Sequence, residues 1–149
     1  MSYSIQLHDS LDKASNQHNA LSAKFAEFAT FVKHCIETPK IANQNITASL
    51  QHLNQGYFTT TYASRTVSFV FTSFLEESGN LAGNVKCFLK RDFPEVKQIP
   101  LGEFTFDAEG HTNLKIPNED AQINIANDFG TLHIALYFIR ESLSKKALG

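Results

Sequence analysis

Two cysteines and six histidines are the side chains here that could ligate a metal or pair as nucleophile and base: Cys35, Cys87, His8, His18, His34, His52, His111 and His133. No two of them share a CxxC, HxxxH or HxH spacing. The one close pair is His34–Cys35, and neighbours on a helix point about 100° apart, too far to share an ion easily. The expectation is therefore no metal and no cofactor. Cys35 falls on an apolar helical stripe and Cys87 on the inward side of a strand, and a thiol buried among apolar neighbours is inert. No catalytic residue is assigned. There is no G-x-S-x-G elbow and no glycine-rich phosphate loop, and the seven glycines read as turn punctuation. Asp128-Phe129-Gly130 lacks the companion motifs of a kinase and reads as a helix start. The carboxylates gather as Glu103, Asp107 and Glu109 around a hairpin, and as Glu119, Asp120 and Asp128 before the last helix. An acid–base pair needs one desolvated carboxyl, whereas hairpin tips and first turns are wet.

Lys86, Lys90, Arg91 and Lys97 alternate with Phe88 and Phe93, the ingredients of a single-strand nucleic-acid platform. Asp92 and Glu95 sit among them, however, and the chain carries 13 basic against 15 acidic residues, a net charge of −2. Nucleic acid is not an expected partner, because binding scales with the phosphates neutralised. The unusual count is 13 phenylalanines against no tryptophan and one methionine. Most must fill the core. Phe31, though, lies about 100° from the Phe25–Phe28 line, and Phe74 and Phe88 fall on strand faces opposite the main apolar sets. With Tyr62, His133 and Tyr137 they are the candidates to line a ligand pocket or to form a patch covered by a partner.

The elements that must position these residues follow from periodicity. Leu21, Phe25, Phe28, Val32, Cys35 and Ile36 mark one face of a helix stopped by Pro39. Leu7, Leu11 and Ala14 mark an earlier helical piece, with weak helix formers between the two at residues 15–19. One unbroken helix from Leu7 to Glu37 would be about 46 Å long, against a diameter of roughly 38 Å for a domain of this size. Either it breaks, or it overhangs and packs on a second copy. A third helix is expected over Ile46–Leu53, capped by Asn45 and stopped by Gly56. From Tyr57 the period becomes two. Strands are expected at 57–62, 65–77 and 83–91, and then as a hairpin, 101–106 with 111–116, around Asp107-Ala108-Glu109-Gly110. Short connections make the strands antiparallel neighbours. Phe129, Leu132, Leu136, Ile139 and Leu143 mark a closing helix capped by Asn127 or Asp128, and residues 121–125 read as strand or helix.

The chain of 149 residues thus reads as a single α+β domain, 1–149. N-terminal helices precede an antiparallel meander of four to five strands, and a C-terminal helix closes it, with the helices on one face of the sheet. Two cysteines are too few for a disulfide framework, no apolar run approaches a membrane span, and the first residues lack signal-peptide character. The expected setting is cytoplasmic, with no membrane partner. The function expected first is a non-enzymatic interaction protein, homodimeric, meeting its own copy or another protein through aromatic helix or sheet surface. The alternative is a small-molecule binding domain with an apolar pocket between sheet and helices. An enzyme using His133 of that pocket as its base is the reading ranked last.

Overall fold

The structure, a computed structural model, describes residues 5–37, 45–91, 94–115, 122–125 and 128–145. Pro39, Asp92, Phe93, Ile116, Glu119, Asp120, Ala121 and Asn127 lie outside the described residues. The order is helix α1 (Ile5–Ile36), strands β1 (Thr47–Ser49), β2 (Tyr57–Tyr62), β3 (Arg65–Leu75), β4 (Leu81–Arg91), β5 (Lys97–Phe106), β6 (His111–Lys115) and β7 (Gln122–Asn124), and helix α2 (Asp128–Leu143). The seven strands follow one another across an antiparallel sheet in chain order. The α+β architecture agrees with the sequence; the strand number is larger. β1, three residues, is a strand not expected from the sequence, and of the two readings of residues 121–125 the structure has the strand, β7, also three residues.

The segment expected as a third helix is instead β1 followed by a single 3-10 turn at Leu53–Gln55. Ile46, Leu50 and Leu53 do turn inward to the core. They do so from a strand and a turn, because Thr47, Ala48 and Ser49 find partners in Thr61, Thr60 and Thr59 of β2. A tertiary ladder outweighs a weak local helical pattern.

α1 is one unbroken helix of 32 residues, about 48 Å long. From Leu21 to Ile36 its apolar face is buried: Leu21, Phe25, Phe28, Ala29, Val32 and Ile36. Phe28 sits at the centre, its ring 5.5–6.2 Å from those of Phe25, Phe58, Phe69 and Phe104. Phe58 and Phe69, opposite each other on β2 and β3, stack at 4.7 Å. Phe138 of α2 meets Phe69 and Phe104 edge-on and stacked at 6.2 Å. Phe69 therefore touches both helices, so α1 and α2 share one face of the sheet.

The buried stripe of α2 is Thr131, Ile134, Ala135, Phe138, Ile139 and Ser142; of the expected line Ile139 lies on it, while Leu132 and Leu136 are half-buried and Leu143 is 44% exposed. The helix is apolar over most of its circumference, and small Thr131, Ala135 and Ser142 let it approach the sheet where leucines would hold it off. Two glycines act the same way rather than as turn residues. A Cβ at Gly83 would lie 2.4 Å from the ring of Phe106 across the β4–β5 ladder, and one at Gly130 would lie 2.9 Å from the carbonyl oxygen of Asn124. At the other end of α2, the Arg65 guanidinium donates to the carbonyl oxygens of Ser142 and Lys145, closing the helix C-terminus against the β2–β3 turn. No described helix is long and apolar enough to cross a membrane.

Candidate functional site

Alternation on the strands divides the aromatic residues. Val67, Phe69 and Phe71 on β3, and Val85, Cys87 and Leu89 on β4, are buried inward, as their spacing requires. Burial pushes the Cys87 thiol up, which leaves it protonated and unreactive. Cys35 is half-buried on α1.

Phe74 and Phe88 are brought to the outer face. They line adjacent clefts that share Lys86 and Glu103, and Phe74 is 40% exposed. Phe31 on α1 and His133 on α2 are half-buried, Tyr137 is 45% exposed with its ring edge-on to Phe138, and Tyr62 packs at the margin of the core. The six candidates thus lie on both sides of the sheet and do not surround one cavity. Between sheet and helices the space is taken by the phenylalanine cluster.

Three features of the surface have geometry that the sequence did not reveal. The first is the outer-face cleft over β1–β5, of about 390 Å³. In register across β1, β2 and β3, Ser49, Thr59 and Ser68 form one row of hydroxyls. Tyr57 and His52 make the wall beside it, their rings stacked at 4.9 Å and 14°, and Lys90 and Gln98 close the far side. Ser68 is only 6% exposed, yet among the described residues its hydroxyl has no hydrogen-bond partner in the protein, nor do the side chains of Thr59 and Gln98.

The second is the exit of α1 from the sheet. Gln17 bonds to the side chain of Asn80 and the backbone N–H of Leu81. His18 and Ser73 share a 2.6 Å hydrogen bond, and the His18 ring stacks on Phe71. N-terminal to these anchors the helix stands free of the sheet, with Ile5, Leu7 and Leu11 each 60–70% exposed. A cleft of about 510 Å³ lies at its base, between Asn16–Leu21 and the turns at 76–81 and 107–109.

The third is a pair of exposed clusters in which a histidine meets carboxylates: His8 with Asp9 and Asp12, and His111 with Asp107 and Glu109, each with ligand atoms within 4.8 Å of one another. In the second, Asp107 Oδ1 accepts from the backbone N–H groups of Glu109 and His111, which shapes the hairpin turn. The Asp107 carboxylate serves the loop, as expected of an acid at a hairpin tip, and Glu109 Oε2 lies 3.5 Å from His111 Nδ1.

Comparison with known proteins returns no match: no family model, no curated protein and no solved structure resembles this chain.

Proposed function

We propose that the chain is a non-enzymatic interaction protein that works as a homodimer, assembled through the free end of α1. The observation that carries this reading is the continuity of the helix's apolar seam beyond the fold. Leu7, Leu11, Ala14, His18, Leu21, Phe25, Phe28, Val32 and Cys35 follow one another at alternating steps of four and three, the 3.5-residue repeat of a helix meant to meet a partner along its length. From Leu21 onward the sheet covers the seam; Leu7 and Leu11 lie beyond the sheet, 61% and 60% exposed.

A second copy fits the vacancy. Ser10, Ser15 and Gln17 flank the seam without charge, and Asp9, Asp12 and Lys13 point away from it. Two free ends laid antiparallel therefore meet without like charges in contact. With Leu11 opposite Ala14 of the copy, Leu7 reaches the level of His18, beside the cleft at Asn16–Leu21. The free ends alone cover less than the roughly 800 Å² per protomer of a standard interface. Leu75, 66% exposed on the adjoining hairpin, and the cleft itself extend the contact.

Sedimentation equilibrium tests this directly. The wild-type chain is expected at twice 16.7 kDa, and Leu7→Asp/Leu11→Asp at the protomer mass with its circular dichroism unchanged. Both side chains are clear of the core, so the variant keeps its fold. A wild-type monomer at about 100 μM, a hundredfold above a Kd near 1 μM, would overturn the assembly.

A further inference from the structure

Beyond that assembly, we propose that the cleft on the outer face of the sheet binds a carbohydrate. The cleft holds about 390 Å³, within the roughly 300–1,000 Å³ of small-molecule sites. Its lining contains no carboxylate and no thiol, and one cation, Lys90, at the side. It is instead dense in groups that both donate and accept: hydroxyls from Ser49, Thr59 and Ser68 in register across three strands, and carboxamides from Gln51 and Gln98 at its two margins. Sugar hydroxyls are likewise donors and acceptors at once, and an array of such groups satisfies them in chains of hydrogen bonds.

Two observations favour a sugar over other occupants. Ser68 keeps a hydroxyl in a position 94% buried (6% exposed) without a protein partner. The hydroxyl opens to the cleft rather than being sealed in the core, so it is available to bond to whatever occupies the cleft. The stacked His52–Tyr57 pair adds a ring surface at the wall, suited to the C–H face of a pyranose, while ring polar atoms remain for its hydroxyls. An apolar ligand would leave the hydroxyl row unsatisfied. An anion would meet a single cation that is already engaged. An extended peptide adds to a strand edge, whereas this is the face of five paired strands.

The experiment is an amide chemical-shift titration of the ¹⁵N-labelled full chain. The probes are maltose, cellobiose, lactose, mannobiose and N,N′-diacetylchitobiose, each to about 10 mM, which saturates a site with Kd near 1 mM. At least one is expected to shift amides over residues 49–59 and 66–70. Ser68→Ala and Gln98→Ala should each weaken that sugar about five-fold, and Lys86→Ala, outside the cleft, should not. Ser68→Ala removes one oxygen and Gln98 is exposed, so both variants retain the fold, with melting temperature as the control. No shift with any of the five, shifts confined to another surface, or equal binding by both variants would overturn the proposal. So would shifts at these amides with adenosine monophosphate alone, which would mark a nucleotide site.

Discussion

Thr60 faces inward from β2, 1% exposed, and among the described residues its Oγ1 has no hydrogen-bond partner. A hydroxyl in that position costs free energy that a methyl group of the same shape does not. Thr60→Val is therefore expected to stabilise the chain by about 1 kcal/mol, raising its melting temperature by about 2–4 °C; a lowered melting temperature in a thermal scan would mean that the hydroxyl is bonded after all. At this scale the sequence is informative wherever a side chain's direction follows from alternation. Phe69, Phe71, Val85, Cys87 and Leu89 are inward and Phe74 and Phe88 outward, as period two demands. Ser68 is the counter-example. Its neighbours Thr59 and Phe88 come from other strands, so neither its burial nor its unbonded hydroxyl could be read from the residues beside it in the chain.

Between β2 and β3 the chain turns in two residues, Ala63 and Ser64, at φ of 52° and 63°. Such a hairpin needs left-handed backbone at both positions, which asparagine and glycine adopt most easily. Ala63→Asn/Ser64→Gly should then stabilise the fold by about 1–2 kcal/mol in urea unfolding, since the left-handed form costs an ordinary residue that much. No gain would indicate that Arg65, tying this turn to the end of α2, holds the turn at no cost. The hairpin was legible as two apolar runs separated by two residues, although Ala-Ser carries no turn signature. Element type was clear where periodicity ran long, in α1 and in the β3–β4 ladder. It misled at Ile46–Leu53, where three apolar residues at helical spacing are reached from a strand and a 3-10 turn. In α2 the helix was legible but its face was not, because apolar residues ring it and the choice between stripes was made by Phe69 and Phe104 opposite Phe138.

At the scale of the molecule, assembly and stability are linked. If the free end of α1 is ordered by a second copy, the melting temperature rises with protein concentration, because association stabilises only the folded state. Calorimetry over a tenfold range should show an increase of about 2–4 °C, corresponding to roughly 1.4 kcal/mol; for Leu7→Asp/Leu11→Asp the transition should not move. A concentration-independent wild-type transition would speak against the dimer. The chain by itself determined the fold class, the antiparallel order and the phenylalanine content of the core, because each depends on residues near in sequence or on totals. The tertiary structure alone decided that α1 runs unbroken past its anchors at Gln17 and His18, that the aromatic candidates part to opposite faces, and that Ser49, Thr59 and Ser68 align in one row. Those outcomes are set by contacts between residues nine or more positions apart, and local periodicity carries no information about which distant partners will meet.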